Sequence, residues 1–106
     1  MEAALRAIAE PRRRQILELV RIHELSAGEI AGHFAVTWPA ISQHLRVLRD
    51  ADLVSERRVG TRRLYRARPE GLEELMIFLG AFWDERIAAL KREAESDEVT
   101  SDGAAR

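Results

Sequence analysis

No cysteine occurs in the 106 residues of this chain, which removes disulfides, thiolate metal ligands and thiol redox sensing together. No apolar run approaches the roughly 18 residues that a membrane span requires, so a spanning helix is not expected. The N-terminus offers Glu2 and a helix-like pattern instead of a basic stretch leading into an apolar signal core. The expectation is a cytoplasmic protein. There is no glycine-rich phosphate loop and no Ser, His and acid set at a suggestive spacing, which makes an enzyme a poor reading. The three prolines, Pro11, Pro39 and Pro69, stand alone, so most of the chain is expected to fold.

Apolar residues make up 46% of the sequence, enough for one modest core, and charged residues 33%. The formal net charge of −1 hides a division. Residues 1–68 hold 13 arginines and no lysine against 8 acids, or +5; residues 69–106 hold 4 basic residues against 10 acids, or −6. A basic body with an acidic end suits a protein that turns one face to phosphates and another to solvent or a partner. The same arginines could also be no more than solvated helix faces.

The pattern predicts a short helix over 2–9, with Leu5 and Ile8 on one side, and a second opened by Pro11 with a buried stripe of Ile16, Leu19, Val20 and His23. Ser26 with Glu29 three residues on is a capping box, starting a third helix that runs to about Phe34 with Ile30 and Phe34 inward. After a bend of about two residues, Ala35-Val36, Thr37 caps a fourth helix with Pro39 in its first turn, reaching about Ala51. The period then changes. Leu53-Val54 begins a strand, Val59-Gly60-Thr61 turns, and Leu64-Tyr65 lies in a second strand. Pro69 opens a last helix with Glu70, Glu73 and Glu74 near its positive end, fraying near Glu95. The expected fold is mostly α with a small β-hairpin: four helices, a hairpin and a fifth helix, a winged helix-turn-helix. Residues 1–95 would form the DNA-binding and dimerisation domain, and 96–106 a disordered acidic tail.

At 100° per residue, with Ile41 at zero, Leu45 falls near 40° and Leu48 near 340°, fixing the core side of the fourth helix. Pro39, Ser42, Gln43 and Arg46 then lie at roughly 100–200°, facing away from the core. Such a helix, held at the crossing angle of the DNA-reading motif, suits the major groove. Gln43 can pair bidentately with adenine, Arg46 can reach guanine or a phosphate, and Ser42 is small enough to let the helix sit deep. His44, on the flank of the wheel, either packs or touches DNA. Trp38 either stacks near the sugar-phosphate backbone or covers the helix start. Arg57, Arg58, Arg62 and Arg63 flank the hairpin tip, where they can neutralise phosphates or enter the minor groove; a charge-protected edge hairpin is the plainer alternative.

The stretches Ala9-Glu10-Pro11-Arg12-Arg13, Pro39 to Arg49, Leu53-Val54 and Gly60 to Tyr65 resemble the ArsR family of bacterial winged-helix repressors. The resemblance covers about residues 4–95, and Ser42 to Leu48 is its most specific part. It implies a symmetric dimer, built mainly from the first and last helices, on double-stranded DNA with a partly palindromic operator. Its recognition positions match Trp38, Pro39, Ser42 and Gln43. Three departures stand out: Asp52 replaces a usual glycine after the recognition helix, where Asp tolerates left-handed geometry better than most residues; Glu10 replaces the commoner aspartate; and the metal-sensing side chains are lacking. With no cysteine and with His23, His33 and His44 all outside the last helix, no metal site or cofactor is expected, and the chain resembles the metal-independent members.

The last helix presents more apolar surface than a small helical body can cover, with Phe82 and Trp83 its largest residues. The expected dimer interface is Leu5, Ile8, Met76, Leu79, Phe82 and Trp83, meeting across a twofold axis. Folding back onto the chain's own first helix is the alternative. Gly80 costs about 1 kcal/mol against alanine in mid-helix, which close approach of a partner helix would explain. The competing function is a winged helix that binds protein and no specific DNA. A small-molecule inducer, with a pocket at the dimer seam, is a variant of the leading reading.

Overall fold

A computed structural model describes the backbone of residues 1–105 and the side chains through Ser96. The first two helices, α1 (Glu2–Ile8) and α2 (Pro11–Ile22), meet at a tight corner. Glu10 caps α2, its carboxylate accepting from the Arg12 N–H at 3.1 Å, and Pro11 follows where a missing N–H forfeits no bond. Arg13 and Arg14 close the open carbonyl end of α1. Arg13 donates from Nε to Ala7 O at 2.6 Å and from Nη2 to Arg6 O at 3.0 Å, and Arg14 donates to Ile8 O. Cations there satisfy orphan carbonyls and sit at the favourable end of the dipole. Two of the body's arginines thus have structural work. The side of α1 that is fully buried is Ala4 and Ala7, while Leu5 is exposed and Ile8 half-buried.

A two-residue strand, β1 (Leu25–Ser26), precedes α3 (Ala27–Ala31). Both halves of the capping box form: the Glu29 N–H donates to Ser26 Oγ at 3.2 Å, and the Ser26 N–H to Glu29 Oε1 at 3.1 Å. Two expectations fail here. His23 is exposed rather than buried, because it is the extended C-cap of α2 (φ −131°, ψ 140°). The third helix stops at Ala31, so the connection to the next helix spans 32–37 rather than two residues. Turn bonds from His33 N–H to Ile30 O and Phe34 N–H to Ala31 O carry the chain onward. They still bring Phe34 inward, half-buried, with the Arg12 guanidinium 4.8 Å from its ring centroid.

Helix α4 (Trp38–Asp50) is capped by Thr37, whose Oγ1 accepts from the Ala40 N–H at 3.3 Å, and holds Pro39 in its first turn. Ile41, Leu45 and Leu48 are buried at spacings of four and three, joining Ile16, Val20, Ile30, Leu53 and Val54 in one core. Burying one such side chain stabilises by about 1.5–3 kcal/mol, so the apolar stripe fixes which way α4 faces. Asp52 follows at φ 60°, the left-handed turn that its position demands. Strands β2 (Val54–Val59) and β3 (Arg62–Ala67) form the hairpin, with Val54 opposite Ala67 and Val59 opposite Arg62. Gly60, at φ 63°, supplies the positive φ that a two-residue hairpin turn needs. Strand β3 is central: β1 pairs with its other edge, Leu25 opposite Tyr65 and Ser26 opposite Leu64.

Past β3 the chain makes a 3-10 turn, Pro69–Leu72, before α5 (Glu73–Ala105). The chain divides into two units, Met1–Leu75 and Met76–Arg106. Within the second, Met76, Leu79, Phe82, Trp83, Ile87 and Leu90 are all exposed and recur at three- and four-residue steps, one apolar stripe along the helix. Phe78 and Phe82 meet edge to face at 5.2 Å. Helix α5 continues to Ala105, past the fraying expected near Glu95, and of the tail expected to be disordered, 96–106, the side chains of 97–106 lie outside the described residues. No helix among the described residues is long and apolar enough to cross a membrane.

Candidate nucleic-acid interface

The outward side of α4 carries Pro39, Ser42, Gln43 and Arg46, all exposed opposite the buried stripe. Trp38, at the helix start, is 56% exposed, and its indole lies over Gly28, where an added Cβ would come within 3.3 Å of the ring. It therefore covers the start of α3 and keeps a free ring face. The hairpin stands on the same side of the body: a cleft of about 430 Å³ is lined by Trp38 and Ser42 from α4 and by Thr61, Arg62 and Arg63 from the wing.

Alternation along the strands divides the wing's arginines between two faces. Arg58 and Arg63 are directly opposed on the face that carries Val54 and Tyr65, toward the core. Like charges directly across a ladder repel, so this doublet suits an anionic partner. Arg57 and Arg62 lie on the other face. There Arg57 donates to both oxygens of Glu24, Nε to Oε2 at 3.1 Å and Nη2 to Oε1 at 2.5 Å, and Arg62 donates to Glu29. Arg63 reaches Glu56 at 3.5 Å, and Glu56 also accepts from Arg49 of α4 at 3.2 Å. Of Arg57, Arg58, Arg62 and Arg63, it is Arg58 that has no ion pair among the described residues.

These pairings set the local titration. The hydrogen bond from Arg57 holds the Glu24 carboxyl below its usual range, and the Ser26 backbone and side-chain bonds, helped by Arg62, do the same for Glu29. Glu56 raises Arg49, and Glu24 raises Arg57. Tyr65 is pushed up by its burial and by the Glu56 carboxylate.

His44 does not share the outward side. It is half-buried, and its Nδ1 lies 3.4 Å from Arg13 Nη1, the arginine that also holds the end of α1. Burial first, and the Arg13 charge second, lower its pKa from 6.5. The imidazole therefore ties the recognition helix to α1 and α2 and is turned away from the surface that Gln43 and Arg46 share. Sequence reasoning did not anticipate the carboxylate partners of the wing. Glu29 was visible only as a capping residue, and Glu24 reaches Arg57 only because β1 pairs with β3. Among the described residues, no three His, Asp or Glu side chains gather where they could hold a metal ion.

Comparison with known proteins agrees with this geometry. The family model described as "Bacterial regulatory protein, arsR family" matches residues 10–56. An HTH-type transcriptional regulator of Mycobacterium tuberculosis is 38% identical over 96 residues, covering 91% of this chain and 90% of that protein. The transcriptional repressor SdpR of Bacillus subtilis is 42% identical over 60 residues, 57% of this chain and 67% of its own. Among solved structures, the homodimeric winged helix-turn-helix DNA-binding domain of a possible ArsR-family regulator from Mycobacterium bovis superposes with a TM-score of 0.63 at 32% identity, covering 79% of this chain and 78% of that one.

Proposed function

Because this chain belongs to the ArsR family of bacterial regulatory proteins, we propose that it is a DNA-binding transcriptional regulator that grips a partly palindromic operator as a homodimer and represses by occupying a promoter. The observation that carries this reading is the shared cleft in which Trp38 and Ser42 of α4 face Thr61, Arg62 and Arg63 of the wing. A helix with small and polar residues outward, beside a basic hairpin, matches a major groove flanked by phosphates.

In the complex α4 enters the groove, Pro39 and Ser42 allow close approach, Gln43 reads adenine, and Arg46 takes guanine or a phosphate. Trp38 packs along the sugar-phosphate backbone. Arg58 meets a phosphate directly, whereas Arg57, Arg62 and Arg63 exchange a carboxylate for a phosphate. His44 acts from behind, holding the helix.

A second copy covers the stripe of Met76, Leu79, Phe82 and Trp83, and Leu5 and Ile8 of α1 belong to the same dimer interface. Monomeric proteins rarely leave a contiguous apolar patch of that kind open. Twofold pairing sets two recognition helices about 34 Å apart, one turn of DNA. Residues 1–95 suffice for both tasks, and the work is cytoplasmic, with no metal or cofactor.

The test is a gel shift on the promoter region of the protein's own operon at two salt concentrations. Gln43→Ala relaxes base preference, while Arg58→Ala weakens all sequences alike and lowers the log–log salt slope by about 0.9. Equal, sequence-blind losses from both contradict the assignments. No shift, with a clean heteromeric pull-down, favours a protein-binding winged helix.

A further inference from the structure

Away from the DNA-facing cleft, the side of α2 opposite α4 borders a second depression. Its floor is apolar, formed by Leu17, Leu53 and Leu72, and its volume is about 510 Å³. Beside it lies a polar basin of about 520 Å³ that carries Ser55, Arg66 and Glu70; Arg21, Ala67, Arg68 and Pro69 line both. With Arg14 on the rim, four arginines stand around the pair against two acids, Glu18 and Glu70. Glu18 is already engaged by Arg21 at 3.1 Å. Arg68 is held by Asp52 at 3.6 Å and Arg66 acts through its charge on the Glu24 carboxylate, while Arg14 gives its hydrogen bond to a carbonyl. An apolar trough beside a basin lined by three arginines and one acid selects its occupant by chemistry. It fits a molecule with an apolar tail and one anionic head.

We propose that this trough is an effector site for a small amphipathic carboxylate, with its tail on Leu17, Leu53 and Leu72 and its head among Arg21, Arg66 and Arg68. The coupling to DNA is short. Arg68 donates its N–H to Leu53 O at 2.7 Å and holds Asp52 at 3.6 Å, and the Leu53 N–H donates to Leu48 O at 2.9 Å. The 3-10 turn rests directly on this segment: a Cβ on Gly71 would lie 2.1 Å from Asp52 O. An occupant that draws Arg68 from Asp52 and presses on Leu53 thus acts on the turn joining the recognition helix to the wing. This regulatory role rests on the DNA-binding reading; the binding itself does not.

The experiment therefore has two arms on the full chain. Without DNA, octanoate is titrated by calorimetry and by amide chemical shifts, with octanol and octylammonium as controls. Saturable binding of octanoate alone, shifting Leu53, Ala67 and Leu72, is expected. Arg66→Gln, an exposed substitution, weakens it about tenfold, the loss that one charged hydrogen-bond donor entails. Absence of saturable binding, equal binding of octanol, or undiminished binding by Arg66→Gln overturns the site. With operator DNA, octanoate is expected to release the protein. Saturable octanoate binding that leaves operator affinity unchanged overturns the effector role. An absence of operator binding in the ligand-free control instead points to the DNA-binding reading itself.

Discussion

If the Glu24 carboxylate competes with DNA for Arg57, then Glu24→Gln should strengthen operator binding, and only through Arg57. In the free protein that guanidinium spends two donors on Glu24, so engaging a phosphate means leaving a carboxylate. Glutamine keeps the size and removes the charge. One additional cation–phosphate contact on duplex DNA raises the log–log salt slope by about 0.9, so a gain seen at low salt should shrink about threefold over a fourfold rise in salt concentration. The assay is fluorescence anisotropy on a labelled operator at several salt concentrations. Four proteins complete the cycle: the parent, Glu24→Gln, Arg57→Ala and the double variant, each checked for unchanged thermal unfolding. In the Arg57→Ala background the Glu24 substitution should lose most of its effect, because the group it liberates is gone. Non-additivity of this kind is what neighbouring side chains show when one acts through the other. Equal effects of Glu24→Gln in both backgrounds would mean that it acts by general charge alone, and the exchange of partners would be wrong.

Three further outcomes follow from the geometry. His44 is held below its ordinary 6.5, so its contribution to stability is complete above that pH and lost as the pH falls through its lowered folded value; Glu24 and Glu29 behave likewise below 4.5. The melting temperature should decline in two stages on acidification, with the first stage missing in His44→Gln. Asp52 adopts φ 60°, so Asp52→Ala should lower stability by about 1 kcal/mol in urea unfolding while Asp52→Gly should not; similar values for both would remove the backbone explanation. A Cβ at Gly80 meets nothing within 4 Å in the single chain, so Gly80→Ala should firm the helix by about 1 kcal/mol yet weaken self-association in sedimentation equilibrium; unweakened association places the seam elsewhere.

What could be read from the sequence was whatever depends on local spacing. The stripe Ile41, Leu45 and Leu48, the Ser26–Glu29 box and the Gly60 turn are written within a few residues, and each appears in the structure as expected. The orientation of Pro39, Ser42, Gln43 and Arg46 followed from that stripe. Strand β1 escaped because two residues show no alternation, and with it went the approach of Glu24 and Glu29 to arginines 33 positions away. The length of the bend before α4 was misjudged because Phe34 is inward at a helical interval although the chain there is already turning. His44 sat on the flank of the wheel, and only the long reach of Arg13 decided which way it is turned.

The paired wing also answers why a chain of net charge −1 need not be a poor DNA binder. Non-specific affinity comes almost wholly from arginine–phosphate electrostatics, whereas specific binding adds base contacts from the groove. Carboxylates that occupy Arg57 and Arg62 weaken the first kind of binding on every sequence. On the operator the contacts of Gln43 and Arg46 offset the cost of releasing them. Neutralising both, in Glu24→Gln with Glu29→Gln, should therefore raise affinity for unrelated duplex more than for operator and narrow the ratio between them. Glu29 also serves the helix cap through Ser26, and glutamine can still accept that bond, so the fold is preserved. Competition by unrelated DNA at fixed salt measures the ratio. An unchanged ratio would reduce Glu24 and Glu29 to guards of a sheet edge and leave discrimination wholly to α4.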